Sequence, residues 1–292
     1  MIQETDLSWR FINSGRCEPA FNMALDEALM RAAAARCSTA TLRVYAWSRP
    51  SVSLGYHQRL EHRLDPECCR DSGIEVVRRI TGGREVFHDS ELTYSFSGPE
   101  GHPRLGKNIA ESYRAIAAGL MHALRLLGVE PELMRPAVGR NRAGSKKEVN
   151  PCFSSASRYE ISVQGKKLVG SAQRRCPNLG AFLQQGSLLI RNSQNRLLDL
   201  LPRSRRDQQT IDKSARLGSR ATGLEEVLGR PVEFEEVARA MRRGFEDFFQ
   251  CRFAEEKPSG QELNLALELE RRKYSCTNWV EGQTRRVVSA VD

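Results

Sequence analysis

The chain has no apolar run approaching the roughly 20 residues that a bilayer span requires. Its opening stretch, MIQETDLSWRFINSG, holds acidic side chains and no apolar signal core. Neither a membrane span nor a secretory leader is therefore expected, and the chain reads as cytoplasmic. Eight cysteines are present, but no pair has CxxC spacing, and His and Cys nowhere cluster at ligand spacing. A zinc site is excluded on that pattern, and most of the thiols are expected to be free. The Gly-Lys-Ser/Thr ending of a Walker loop is missing, as is the spacing of a dinucleotide fingerprint. No helix-turn-helix signature, RNP-type aromatic pattern, zinc finger or internal repeat is found.

What is present describes a soluble globular protein: 292 residues, 40% apolar and 28% charged, enough to bury a substantial core. Lys and Arg outnumber Asp and Glu by 45 to 36, a net charge of +9. That balance favours an acidic partner, and an acidic protein fits it as well as nucleic acid does.

Periodicity supplies the elements. A short strand is expected at Trp9 to Ile12. PAFNMALDEALMRAAAARC then sets Phe21, Ala24, Leu25, Ala28 and Leu29 at helical spacing, with Asn22 as N-cap and Asp26 and Glu27 near the positive end of the dipole. TLRVYAW and SVSLGY read as strands, and GIEVVRRITGGREVFHDSELTYSFSG as strand, glycine turn, strand. In NIAESYRAIAAGLMHALRLLG, Ile109, Tyr113, Ile116, Leu120, Leu124 and Leu127 share a face, and Gly128 is the stop. A basic polar loop spans 137–150. A hairpin turning at Gln164-Gly165 follows, with Tyr159, Ile161 and Val163 alternating before the turn and KKLVGSAQ returning after it. LQQGSLLI is a further strand, and 203–223 is basic and irregular. VEFEEVARAMRRGFEDFFQ is a helix with Phe234, Val237, Met241, Phe245 and Phe248 inward, and 262–272 a last leucine-rich helix. Single helices interleaved with hairpins imply an α/β (α+β) fold around a mixed sheet. The division expected is a catalytic domain over 1–252 and a helical appendage over 253–292.

Few segments carry chemistry. Thr81-Gly82-Gly83 is either a plain hairpin turn or a loop whose bare backbone approaches a carbonyl or phosphate. His88 and Asp89 point to opposite faces of a strand and cannot form a dyad; His88 reads first as a structural, hydrogen-bonded histidine. Cys152 sits among small polar residues beside Lys146, Lys147 and Arg158, an environment that favours a thiolate nucleophile over a packed thiol. Cys176 competes with it, but Pro177 directly after argues for a loop. Lys167 is either a solvated strand residue or a group at a reacting carbonyl. Gly170 and Ala172 beyond it leave room for something lying across the strand.

FNMALDEAL, LRVYAWSRPSVSLGYHQ, RRITGGREVFHDSELTYSF, GKKLVGSAQ and LQQGSLL resemble, in order, the consecutive signatures of the lipoate–protein ligase and octanoyltransferase family, over roughly residues 8 to 250. The resemblance implies a biotin/lipoyl ligase-like fold with an acyl tunnel beneath the Gly-Gly loop. It implies that Lys167 contacts the acyl carbonyl. Arg79, Thr81, Gly82, Gly83, His88, Gly170, Ser171 and Ala172 are the acyl-binding residues it implies. ATP-dependent ligases of the family carry an Asn-Asp pair ahead of the hairpin, where this chain has Asn141-Arg142. CFSSASRYEI is instead similar to the cysteine segment of the LipM-type octanoyltransferases, as is GGREVFHDSELTYS.

That branch implies ping-pong acyl transfer with Cys152 and Lys167 as catalytic residues and no ATP, metal or other cofactor. The donor implied is octanoyl-acyl carrier protein. The acceptor is the target lysine of a lipoyl domain, such as the glycine cleavage H protein or a 2-oxoacid dehydrogenase E2 subunit, with no nucleic acid and no membrane partner. An amidotransferase moving octanoyl between lipoyl domains and an ATP-dependent lipoate ligase are the alternatives. Two residues depart from the family pattern. Glu85 stands where a small residue is usual, and Gln185 replaces a histidine, which bears on pocket shape and selectivity.

Overall fold

The computed structural model describes residues 8–35, 40–134, 160–202 and 220–282. Cys152, Tyr159, the 137–150 loop and the 203–219 stretch lie outside the described residues.

The first half runs β1 (Ser8–Cys17), α1 (Pro19–Ala35), β2 (Thr41–Trp47), β3 (Ser51–Leu54), α2 (Pro66–Asp71), β4 (Glu75–Arg78), β5 (Val86–His88), β6 (Glu91–Pro99), α3 (Ile109–Leu126) and β7 (Glu132–Leu133). The second runs β8 (Ile161–Val163), β9 (Lys166–Cys176), β10 (Ala181–Leu189), α4 (Leu224–Leu228), α5 (Phe234–Phe249), β11 (Arg252–Glu255), α6 (Gly260–Leu269) and α7 (Thr277–Glu281). Among the described residues the main sheet has eight strands, ordered β11-β1-β2-β6-β10-β9-β8-β7. β1 is parallel to β11 and β2, and the remaining pairs are antiparallel. A second sheet, β4-β3-β5, pairs β3 parallel to β4 and antiparallel to β5. The mixed sheet flanked by helices is the architecture the sequence implied.

Strand alternation divides the interior in two. On β2 and β6, Leu42, Val44, Leu92, Tyr94 and Phe96 enter a core capped by α3 and α5. Tyr45 and Trp47 point to the other face, against α1 and Val77 of the small sheet. The α5 stripe is Val237, Met241, Phe245 and Phe249, an i, i+4 ridge, so Phe248 turns outward and is 41% exposed. Ile109 likewise sits in the first turn of α3, outside the packed face, and is 52% exposed.

Helix α1 begins at Pro19, three residues ahead of the expected cap, because proline suits the first helical position. Asn22 is therefore inside the helix and buried. Its amide donates to Cys17 and Ala46 carbonyls at 3.2 Å each and accepts from Arg43 at 2.7 Å. Asp26 and Glu27 are also buried mid-helix groups rather than partners of the helix dipole.

Over residues 253–282 the chain stays on the same body. β11 extends the main sheet, and α6 packs on α1. Arg10 and Glu262 form a buried ion pair at 2.7 Å, and Lys273 reaches Glu27 at 2.7 Å. Arg78 donates to the Trp279 and Val280 carbonyls at 2.7 and 2.8 Å and to the Gly55 carbonyl at 2.8 Å. The segment after 252 thereby touches the strand that leads into the glycine loop.

Candidate active site

The glycine loop is shaped by one buried guanidinium. Arg79 Nη2 donates to the Gly82 and Arg84 carbonyls at 2.8 and 2.7 Å, and Nη1 to the Ser53 carbonyl and Oγ at 2.9 Å each. Gly83 takes φ +94°, a region that favours glycine, and a Cβ there would lie 2.8 Å from Arg79 Nη2 and 3.7 Å from Ala172 Cβ. Gly55 comes so close to the loop that its own Cβ would stand 2.1 Å from the Gly83 carbonyl oxygen. The loop therefore lies over β9 at Ala172, with glycine required on both sides of the contact.

Behind the loop is a narrow slot of about 30 Å³, well below the size of an ordinary ligand pocket. Met23, Tyr45, Trp47 and Val86 supply its apolar wall. Gly170, Ser171, Ala172 and Gly186 form the strand side, and Ser53, Arg79, His88, Thr93, Gln185 and Ser187 the polar side. Of the acyl-binding residues expected from sequence, Arg79, His88, Gly170, Ser171 and Ala172 line this one slot. Thr81 stands one hydrogen bond away, giving its Oγ1 hydrogen to Gln185 Oε1 at 2.7 Å.

Gln185, the departure from the family pattern, acts as a bridge. Its Nε2 donates to Asp26 Oδ2 at 2.7 Å, which couples the glycine loop to α1. Asp26 is fully buried and also accepts from Arg43 at 2.6 Å, Tyr45 at 2.8 Å and Ser95 at 2.6 Å. Burial, and next the Asp26 carboxylate, push the Tyr45 phenol well above its usual range, so it stays a neutral donor. Glu85, the other departure, is not part of the slot wall. It pairs with Arg63 through two bonds of 2.8 and 2.6 Å and accepts from Gln58, tying the 58–63 segment to the loop.

His88 is the hydrogen-bonded histidine that its sequence position implied, and it also walls the slot. Nε2 meets Ser53 Oγ at 2.7 Å, Nδ1 meets Glu91 Oε1 at 2.8 Å, and the ring stacks on Trp47 at 3.9 Å. The acid that orients it is Glu91, three residues on, and not the adjacent Asp89.

Lys167 is not a solvated strand residue. It is 1% exposed, and its Nζ donates to Glu160 Oε1 at 2.5 Å. Its main chain is held between Arg220 O at 2.7 Å and Thr222 N at 3.0 Å. It does not line the slot but stands on the same strand, three residues from Gly170. Cys176 ends β9 rather than sitting in a loop, and its half-buried Sγ lies 3.9 Å from Met30 Sδ.

Sequence reasoning missed Asp26, Ser53, Glu91 and Glu160. Asp26 carried a signal, since a charge between Met23-Ala24-Leu25 and Ala28-Leu29 lies on an apolar helix face and needs a buried partner. Among the described residues no group of His, Cys, Asp and Glu could hold a metal ion, and no helix is long and apolar enough to cross a membrane.

The family model of the lipoyl protein ligase A/B catalytic domain matches residues 18–246. The chain belongs to that family. Octanoyltransferase LipM of Anoxybacillus flavithermus is 36% identical over 276 residues, 93% of this chain and 97% of its own length. Octanoyltransferase LipM of Bacillus subtilis is 34% identical over 277 residues, 93% of this chain and 97% of its own. Among solved structures, a bipartite lipoate protein ligase of Thermoplasma acidophilum, studied with its E2 lipoyl domain, superposes with a TM-score of 0.77 at 26% identity, covering 96% of this chain and 99% of that one. Lipoate-protein ligase A bound with ATP gives 0.75 at 25%, covering 94% and 99%. The fold is thus that of the lipoate ligases, as the sequence signatures implied.

Proposed function

We propose that this enzyme is an octanoyltransferase of protein lipoylation, moving an octanoyl group from a thioester donor to the target lysine of a lipoyl domain. The observation that carries the reading is the likeness, across nearly the whole of both chains, to proteins named octanoyltransferase LipM. The lining of the slot, rather than its volume, supports it: small residues on β9 and an apolar wall of Met23, Trp47 and Val86 are the surface an unbranched acyl chain would contact.

In the mechanism we infer, the Cys152 thiolate attacks the octanoyl thioester of acyl carrier protein, releasing the carrier thiol and leaving an octanoyl-cysteine thioester. The acceptor lysine then attacks that carbonyl, and the Cys152 sulfur leaves as the amide forms. Lys167 places positive charge at the carbonyl oxygen, and backbone amides of the Gly82-Gly83 loop aid it. Arg79, Thr81, His88, Gly170, Ser171 and Ala172 hold the acyl chain. One thioester replaces another and the amide is the more stable product, so neither ATP nor a metal is called for. The net charge of +9 suits acidic carrier domains.

Intact mass spectrometry after mixing with octanoyl-acyl carrier protein tests the reading. A hydroxylamine-labile octanoyl adduct on Cys152, which then passes to a lipoyl domain without ATP, is the expected result. Transfer that requires ATP and free octanoate would overturn it in favour of a ligase. An adduct formed only from an octanoylated lipoyl domain would overturn the carrier-protein donor.

A further inference from the structure

Arg78, the last residue of β4, is 1% exposed, and among the described residues it pairs with no carboxylate. Its side-chain hydrogen bonds all end on backbone carbonyls. Nε donates to Trp279 O at 2.7 Å and Nη2 to Val280 O at 2.8 Å, in the last turn of α7, where a helix runs out of amide donors. Nη1 donates to Gly55 O at 2.8 Å and to Tyr56 O at 3.1 Å. The Trp279 indole donates in return to the Arg78 carbonyl at 3.0 Å. Gly282, at φ +80°, leaves room for the guanidinium, since a Cβ there would lie 2.8 Å from Arg78 Nη2. Burying a cation with no counter-ion is unfavourable, and what this one achieves is geometry. A planar fork joins carbonyls of two separate segments, which an ammonium on a flexible stem does poorly.

One of those segments, the 55–56 turn, is the seat of the glycine loop. A Cβ on Gly55 would stand 2.1 Å from the Gly83 carbonyl oxygen, and the Tyr56 amide donates to Thr81 O at 2.9 Å. Arg78 therefore grips the turn from one side while the loop, shaped by Arg79, rests on the other. Trp279 also packs in the same apolar cluster as Met23, Tyr45 and Trp47, which wall the slot.

We propose that α7 is a brace for the glycine loop, with Arg78 as the positioning residue that carries its hold through the 55–56 turn to Thr81, Gly82 and Gly83. The brace sets how closely the loop covers the slot, and so how tightly an acyl chain is held, without touching the reacting atoms. What the slot holds rests on the acyl-transfer reading, whereas the brace itself concerns the loop alone. On this account the segment after 252 serves acyl binding and is more than an appendage.

The test compares the full chain with three variants. Arg78→Lys keeps the charge and loses the fork. Trp279→Phe keeps an aromatic ring and loses the indole donor. Glu262→Gln loosens the same C-terminal segment at its other anchor, Arg10. Two readouts are taken below the melting temperature of every variant: hydrogen exchange at the Tyr56 amide, and KM and kcat with octanoyl-acyl carrier protein. Arg78→Lys should exchange Tyr56 about tenfold faster and raise KM about five- to tenfold, with kcat within about twofold of wild type. Trp279→Phe should move exchange and KM the same way by about two- to threefold. Glu262→Gln should lower Tm and leave both readouts unchanged. A folded Arg78→Lys with wild-type exchange at Tyr56 overturns the brace. If Arg78→Lys does not fold, the same result with Trp279→Phe overturns it. An equal rise in exchange with Glu262→Gln also overturns it, because general destabilisation would then suffice. Faster exchange with an unchanged KM overturns the link to acyl binding. Faster exchange in an enzyme whose wild type takes no octanoyl from carrier protein supports the brace and overturns the transfer reading instead.

Discussion

Two stretches of β9, its Lys167 end and its middle at Gly170 to Ala172, are built from different physics. At Gly170 to Ala172 the strand is small and neutral, and a Cβ placed at Gly83 of the glycine loop would lie 3.7 Å from Ala172 Cβ. The charged groups nearby are turned to other work, Arg79 to loop carbonyls and Asp26 to Arg43, Tyr45, Ser95 and Gln185. At Lys167, three residues away, the strand holds an ammonium in a buried ion pair. A neutral slot selects by shape, since an apolar chain gains by filling it. A compact cation out of water acts on charge, since a developing oxyanion gains most from a donor already in place. On the acyl-transfer reading we propose, the contrast separates which acyl group binds from how fast it is transferred.

Substitutions at the proposed catalytic residues should have the largest effects. Cys152→Ser is expected to abolish transfer in a folded protein, because a serine hydroxyl is barely ionised at neutral pH; measured turnover near wild type would direct attention to Cys176. Lys167→Ala should cost roughly 3 kcal/mol of transition-state stabilisation, about 10²-fold in kcat. Lys167→Arg should recover little, since a planar fork does not replace a compact ammonium. Removing the lysine also breaks its buried ion pair with Glu160, so thermal melting must accompany the kinetics.

At the slot, Gly83→Ala puts a side chain at φ +94° against Arg79, a strain of about 1–2 kcal/mol that should appear as a roughly 5- to 30-fold rise in KM for the octanoyl donor. A control outside both stretches is Glu262→Gln. Burial alone would raise the Glu262 carboxyl, but Arg10 and the Ser259 amide outweigh it and hold it below the usual carboxylate range. Its stabilising contribution is then full at neutral pH and is lost as pH falls through that lowered value. Glu262→Gln should lower Tm by about 2–4 °C at neutral pH, converge with the wild type in acid, and leave kcat untouched.

The slot was more legible in the sequence than the charges around it. The family resemblance carried by RRITGGREVFHD and GKKLVGSAQ implied that Arg79, His88 and the small residues of β9 belong together, and they line one slot, whereas local spacing left the glycine loop open between a plain turn and a close backbone approach. The partners of the charged groups were not legible. Glu160 meets Lys167 across the hairpin, and Asp26 meets Gln185 from a different element, pairings that only the tertiary fold creates. The helix faces were read almost correctly. Phe248 and Ile109 failed because their stripes, extended by one residue or one turn, pass the edge of the core.

A chain-length series across both stretches tests the division of labour most directly. The kcat/KM for butyryl-, hexanoyl- and octanoyl-acyl carrier protein would be measured on the wild type, Lys167→Ala and Ala172→Leu. Lys167→Ala should slow all three donors by the same factor. Ala172→Leu should shift preference toward the shorter chains by about fourfold for each methylene excluded, the worth of about 0.8 kcal/mol of apolar burial. A chain-length preference that changes with Lys167→Ala but not with Ala172→Leu would contradict the account.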